Sequence, residues 1–283
     1  MSKIILSADS TCDLSPELKE RYEVNYYPFH VILDGQDYLD NETITPEKIY
    51  QIYYEKKILP KTAAINMYEY MNYFEKWVNE GHEVIHICLG DSLSSAYQNC
   101  VLVAKELGHV HVINSGNLST GMGLMVIEAG KMIKEGMETE AIVKALNQLR
   151  PKCHASFILD NLEFMKAGGR CSSAVAISAN LLNIRPCIEV NNENGSLQVG
   201  KKYRGSLEST LKKYVKDKIT QTQNIRKDIL FITHSGIEQK YIELVENEVR
   251  SLIDIDEIFI TRASCSISSH CGPNTLGILF KSE

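Results

Sequence analysis

The chain has 283 residues, 44% of them hydrophobic types and 23% charged, an average globular composition that excludes global disorder. Its 36 acidic against 30 basic side chains give a formal charge of -6, which argues against a general nucleic-acid surface, and its length suits one large domain or two ordinary ones. No run approaches 18 apolar residues, so neither a spanning helix nor stable membrane insertion is expected.

The opening Met1-Ser2-Lys3-Ile4-Ile5-Leu6-Ser7 meets Asp9 before an apolar stretch develops and does not read as a signal peptide. Ile4-Ile5-Leu6 predicts a buried strand ending in the polar run Asp9-Ser10-Thr11-Cys12-Asp13-Leu14, and Ser15 with Pro16 starts a helix. Asn25 to Leu33, Asp34-Gly35 and Gln36 to Leu39 predict a hairpin, because Asp-Gly accepts the positive φ of a tight turn. Thr45 and Pro46 open a helix that ends near Lys57, before Leu59-Pro60, and Tyr68 to Trp77 is the next, closed by Gly81. Val84 to Leu89 reads as a strand, Gly90 to Ser95 as a polar turn, and Tyr97 to Leu107 as a helix with Val101, Ala104 and Leu107 on one stripe. Val110 to Ile113, the turn Asn114 to Asn117 and a helix over Ser119 to Ile133 repeat that order; Thr139 is the expected cap of a helix reaching Leu149. Strand, polar turn and helix in repetition predict a mainly parallel sheet with crossover helices.

Arg150-Pro151-Lys152 is the expected domain boundary. Beyond it come a strand over Ala155 to Leu159, a short helix stopped by Gly168-Gly169, and a helix over Ser173 to Leu182. Cys187 to Val190 and Leu197 to Tyr203 flank Asn194-Gly195 as a second hairpin; Ser206 to Ile219 is amphipathic; Ile229 to Thr233, Ile242 to Val249 and Ile258 to Thr261 repeat strand, helix, strand before a closing strand over Thr275 to Phe280. The fold class is therefore α/β with two domains. Residues 1–150 carry the mainly parallel sheet and a hairpin insertion near 24–40, and residues 151–283 carry a mixed sheet. A ligand is expected in the cleft between them, where the loops Asp9 to Asp13, Lys61-Thr62, Gly90 to Ser95, Asn114 to Ser119, Gly168 to Ser173, His234 to Gly236 and Ser268 to Gly272 converge.

The nucleotide motifs fail first. There is no phosphate-binding Gly-x-x-x-x-Gly-Lys-Ser/Thr run, and Gly121-Met122-Gly123 lacks a third glycine, so close helix packing is its reading. Gly90-Asp91-Ser92-Leu93 resembles the nucleophile block of GDSL ester hydrolases, but neither His234 nor His270 follows an Asp at that family's spacing. Cys265, His270 and Cys271 lie close in sequence, yet adjacent His270 and Cys271 do not aim easily at one ion. The eight cysteines, without a Cys-x-x-Cys, read as free thiols in a reducing cytoplasm. What remains is an anion-binding set. Thr62, Ser94 and Ser95 offer hydroxyls, and Ser95 stands at a helix start with free N–H groups. Arg170 beside Gly169 offers a two-pronged guanidinium on a flexible turn, and His270 adds a proton donor.

The ordered pieces Asp9-Ser10-Thr11-Cys12-Asp13-Leu14, Pro60-Lys61-Thr62, Leu93-Ser94 with Tyr97-Gln98, Ser119 with Gly121-Met122-Gly123-Leu124, Leu159 to Glu163 with Gly168-Gly169-Arg170, Leu182 to Pro186, and His270-Cys271-Gly272-Pro273 resemble the DegV family of bacterial fatty-acid-binding proteins over the whole chain. The resemblance implies a non-catalytic protein with two α/β domains and one long-chain fatty acid, such as palmitate, between them. It implies that Thr62, Ser94, Ser95 and His270 surround the carboxylate, with Arg170, Gly169 and Asn114 supporting the site or a partner surface. It implies no cofactor beyond the acid, at most transient membrane contact, and in some members a separate ATP-dependent fatty acid kinase that phosphorylates the bound carboxylate. The sequence departs from the family's Thr-Ser-Gln-Pro-Ser at Thr62-Ala63-Ala64-Ile65-Asn66, from Leu-Ser-Gly-Thr at Leu93-Ser94-Ser95-Ala96, from His-Thr-Gly-Pro at Cys271, and from an Asp at Asn114. Two rivals remain open: an α/β hydrolase or transferase using Ser92, Cys12 or His234, and a carrier of another amphipathic anion.

Overall fold

The computed structural model describes residues 3–175 and 184–283. In chain order the first part contains β1 (Ile4–Asp9), α1 (Pro16–Arg21), β2 (Asn25–Tyr27), β3 (His30–Leu33), β4 (Gln36–Leu39), α2 (Pro46–Lys56), β5 (Lys61–Ala63), α3 (Met67–Asn79), β6 (Glu83–Cys88), α4 (Ala96–Leu107), β7 (Val110–Asn114), α5 (Ser119–Lys134) and α6 (Thr139–Leu149). After a single turn over Arg150–Lys152 come β8 (Cys153–Ile158), α7 (Glu163–Gly168), α8 (Ser172–Val175), β9 (Ile184–Val190), β10 (Leu197–Arg204), α9 (Leu207–Gln221), β11 (Ile225–His234), α10 (Gln239–Leu252), β12 (Glu257–Arg262), α11 (Cys265–Cys271) and β13 (Leu276–Ser282). The expected helix over Ser173 to Leu182 lies mostly outside the described residues, as do Leu182 and Asn183.

The two α/β domains have distinct sheets. The first sheet is parallel throughout, in the order β2-β1-β6-β7, with Ile5 opposite Val84 and Cys88 opposite Asn114. Its central strands are buried on both faces, which is why Ile4-Ile5-Leu6 and Val84 to Leu89 read as unbroken apolar runs. The second sheet is mixed, in the order β10-β9-β8-β13-β11-β12, with only β11 and β12 parallel. α9 and α10 pack over one of its faces through Leu211, Val215, Ile242 and Val245. α5 joins the domains: Met122, Leu124 and Met125 lie in one apolar core with Ile85 of β6 and Phe157 of β8. Its glycines allow the approach, since a Cβ on Gly123 would lie 2.8 Å from the Cys12 carbonyl oxygen and one on Gly121 3.1 Å from Ala155 Cβ.

Four expectations are corrected. Asn25 to Leu33 is not one strand. Pro28, which has no N–H, interrupts it; β2 joins the parallel sheet beside β1, and β3 turns away to pair with β4 across the Asp34-Gly35 turn. Lys61-Thr62 is not a loop but part of β5, which pairs antiparallel with β3 and completes a small third sheet, β4-β3-β5. Ser268 to Gly272 is not a loop either, because residues 265–271 form α11, capped by the Ser264 hydroxyl, which accepts from Ile267 N. Thr139 is the first residue of α6 rather than its cap.

Candidate functional site

A cavity of about 130 Å³ opens between the domains. Its walls are mostly apolar: Phe29, Leu89 and Leu118 from the first domain and Phe157, Met165 and Ile267 from the second. Polar groups stand together among them: Thr62 on β5, Ser94 and Ser95 in the turn before α4, Arg170 after α7 and His270 on α11. A second void of about 20 Å³ shares the walls Leu118, Phe157, Ile267 and Cys271 and reaches Thr233, Ala263 and Leu279.

The sequence-predicted donors meet. Thr62 Oγ1 lies 2.8 Å from His270 Nε2, joining residues 208 apart in sequence. Burial, and secondarily the Arg170 charge, pull the His270 imidazole down to about 4, so the ring is neutral at pH 7. Its Nδ1 is buried, has no hydrogen-bond partner among the described residues, and faces Gly168, where a Cβ would lie 2.1 Å from that nitrogen. Ser94 Oγ accepts from Ala96 N at 3.2 Å, which leaves its proton free to donate. Ser95 is the exposed residue that begins α4, and its side chain makes no capping bond. Arg170 is exposed; its Nη1 donates to Gly168 O at 2.7 Å and its Nε to Leu93 O at 3.4 Å, so the guanidinium spans the mouth from one domain to the other. Gly169 holds φ +67° at the end of α7, a left-handed conformation that a side chain disfavours.

Asn114 stands apart. Its side-chain oxygen accepts from Asp91 N at 3.3 Å and Gly116 N at 2.9 Å, and it borders a separate polar hollow with Arg150 and Asn194. The cavity also takes in Thr11 and Ser266, which were not singled out as site residues, although Thr11 belongs to the polar run after β1.

The rival nucleophiles are poorly placed. Ser92 is exposed, and burial pushes the Cys12 thiol up to about 12. His234 Nδ1 accepts from Gly236 N at 3.2 Å, and burial with the Arg262 charge pulls this ring down to about 4. His86, Cys88 and Cys100 come within metal-binding reach of one another. However, the two ring nitrogens of His86 already face Ser7 Oγ at 2.9 Å and Asp9 Oδ1 at 3.0 Å, and burial holds the Cys88 thiol well above its ordinary range. All eight cysteines are free and buried. Among the described residues, no helix is long and apolar enough to cross a membrane.

The fold is a two-domain α/β architecture with a cavity between the domains. The DegV family pattern, described as "Uncharacterised protein, DegV family", matches residues 3–283, and the chain belongs to that family. It is 29% identical to a DegV domain-containing protein of Caldanaerobacter subterraneus subsp. tengcongensis, with all of both chains covered. Among solved structures it is similar to one described as "Fatty Acid Binding of a DegV family Protein from Thermus thermophilus", with a TM-score of 0.90, 29% identity, and coverage of 99% of this chain and 100% of that one. It is also similar to a DegV lipid-binding protein of Thermotoga maritima, with a TM-score of 0.86, 25% identity, and coverage of 99% and 98%.

Proposed function

We propose that this protein binds one long-chain fatty acid, with the carboxylate at Thr62, Ser94, Ser95 and His270 and the acyl chain in the apolar cavity. The observation that carries the reading is the Thr62–His270 pair set into an otherwise apolar pocket. A neutral imidazole carries one N–H. With that proton on Nε2, His270 donates to Thr62 Oγ1, and the Thr62 hydroxyl is free to donate to an anion. Ser94 supplies a second free hydroxyl proton. In this reading the tail runs toward the small void beyond Phe157 and Ile267. The Thermus and Thermotoga relatives, described as fatty-acid-binding and lipid-binding, support the same ligand class.

The energetics suit an enclosed chain. Each buried CH₂ is worth about 0.8 kcal/mol, so sixteen carbons contribute on the order of 12 kcal/mol. Association and ordering oppose this by roughly 4–15 kcal/mol, so retention requires nearly complete enclosure plus the carboxylate bonds. In this reading Arg170 and Gly169, exposed at the mouth, form the surface at which a separate ATP-dependent fatty acid kinase reaches the carboxylate, while this chain holds the substrate and supplies no nucleotide site. The protein works in the cytoplasm and meets membranes only transiently.

Denaturing extraction and mass spectrometry of protein purified without added lipid test the reading. A near-stoichiometric C14 to C18 acid is expected. Ser94→Ala removes one charge-assisted bond and should weaken palmitate binding by about 1.5–3 kcal/mol, roughly ten- to a hundred-fold. Unchanged affinity in folded Ser94→Ala protein removes Ser94 from the site. No extracted lipid and no uptake across the series overturns the carrier reading.

A further inference from the structure

α11 brings His270, Ser266, Ile267 and Cys271 to the cavity, and little in its own sequence fixes where it lies. Its seven residues include three serines and two cysteines, a composition with weak helix propensity and no apolar stripe. A helix this short leaves most of its backbone N–H groups without internal partners. Two buried carboxylates from the other end of the chain take them up. Asp13 Oδ1 accepts from Ser264 N at 2.9 Å. Asp40 Oδ1 accepts from Cys265 N at 2.7 Å and from Ser266 N at 3.3 Å.

Each carboxylate is itself fixed by its second oxygen. Asp13 Oδ2 accepts from Ser119 Oγ at 2.5 Å, and Asp40 Oδ2 from Ser10 Oγ at 2.8 Å. Ser10 Oγ in turn accepts from Phe29 N at 3.1 Å, and Phe29 lines the cavity. Asp13 and Asp40 are both nearly inaccessible to solvent. Carboxyl oxygens that accept from backbone N–H groups at a helix start bond directionally, so the acids set both the depth and the axis of α11.

We propose that Asp13 and Asp40 are positioning residues of the binding site: by holding the first turn of α11 they fix His270 against Thr62. The polar run after β1 acquires a role from this. Thr11 borders the cavity, while Ser10 and Asp13 on either side of it anchor the opposite wall. Neither carboxylate needs to touch the ligand. The assignment rests on the carrier reading only for its affinity readout.

The test compares Asp13→Ala and Asp40→Ala with Asp40→Asn, which retains an acceptor oxygen. Three quantities are measured: palmitate affinity, amide hydrogen exchange over 264–271, and the imidazole nitrogen signals of His270. Both alanine variants should lose about ten-fold or more in affinity, with faster exchange confined to 264–271 and displaced His270 signals. Asp40→Asn should recover to within about three-fold of the parent. Parental affinity with undisplaced His270 signals in either alanine variant overturns the assignment, as does a loss in Asp40→Asn equal to that in Asp40→Ala. Should an alanine variant fail to fold, Asp13→Ser or Asp40→Ser replaces it, because the shorter polar side chain withdraws the carboxylate from the α11 N–H groups. A displaced His270 signal in those variants supports the assignment and an undisplaced one overturns it. If the parent protein takes up no palmitate, the carrier reading falls, while exchange and His270 signals still decide the positioning.

Discussion

Among the described residues, the buried charged clusters around Asp9 and around Lys281 serve different ends. In the first domain Asp9 accepts from Tyr70 Oη at 2.8 Å, His86 Nε2 at 3.0 Å and Leu89 N at 2.8 Å, all without solvent exposure at the acid. In the second, Lys281 of β13 is equally buried and donates to Glu128 of α5 at 2.7 Å and Asp228 of β11 at 2.6 Å. The Asp9 cluster ends on Leu89, a wall of the cavity and the start of the turn that carries Ser94. The Lys281 cluster touches no cavity residue; it clamps α5 to the mixed sheet. Buried charge in the first domain therefore positions the site, and in the second it holds the domains together.

The largest effect should come from breaking the clamp. Burial by itself would raise the Glu128 and Asp228 carboxyls, yet Lys131 and Lys281 around Glu128, and Lys281 around Asp228, keep them below the usual range. Lys281→Met leaves those acids short of a cation, a change that costs about 3–5 kcal/mol in buried pairs. Chemical unfolding should register that loss, while palmitate affinity at a temperature where the variant is folded stays within about two-fold of the parent. Asp9→Ala should lower both quantities. An affinity loss in Lys281→Met as large as that in Asp9→Ala would erase the distinction between the clusters.

A smaller and more local effect sharpens the same contrast. Gly168 ends α7 without a positive φ, so its requirement for glycine is steric: a Cβ would meet His270 Nδ1 at 2.1 Å and the ring carbons near 3 Å. Gly168→Ala must turn the ring away from Thr62. Palmitate affinity should fall by about ten-fold or more and stability should fall with it, because Gly168 is half-buried and the displaced ring is enclosed. Calorimetric titration beside denaturant unfolding separates the two. Equal affinity would mean that the Thr62–His270 contact does not carry binding.

The same division explains what the sequence makes legible. Ser94 is readable because strand, polar turn and helix follow one another within fifteen residues around it, and the Asp34-Gly35 turn because its chemistry is local. The mixed second sheet is readable from Asn194-Gly195 between two apolar runs. α11 is not readable: Cys265 to Cys271 has no period, and the groups that cap it, Asp13 and Asp40, lie more than 220 residues away in sequence. β5 has three residues, too few for alternation to register, so Thr62 reads as a loop residue. Asn114 looks like a free donor at a strand end, but its side chain closes its own turn, a common use of Asn that sequence does not separate from ligand binding. Residue type and expected strand-end loops make Thr62, Ser94 and His270 candidate anion donors one by one, but only the family resemblance joins them around one carboxylate, because no local pattern links residues that far apart.

The smallest predicted effect concerns the charge at the mouth. Burial is the main cause that pulls His270 from 6.5 to about 4, and Arg170 is the secondary one. Between those values the unfolded chain binds a proton that the folded chain does not, so the stability contributed by this ring rises with pH and is lost as pH falls from 6.5 toward 4. Asp13 works the other way. Burial raises it from 3.8 to about 7, so the folded chain keeps a proton that the unfolded chain releases, and its contribution, present at low pH, is lost as pH rises toward 7. The two oppose each other over the same window, and bulk unfolding curves blur them. Histidine nitrogen signals followed against pH isolate the ring. The parent His270 should titrate near 4. Removing the cation in Arg170→Gln should move the midpoint upward, yet leave it below 6.5, because burial persists. A midpoint that does not move means the guanidinium does not act on the ring. A midpoint that returns to 6.5 means the ring is not enclosed, and then the second domain's share of the site is an open surface rather than a wall.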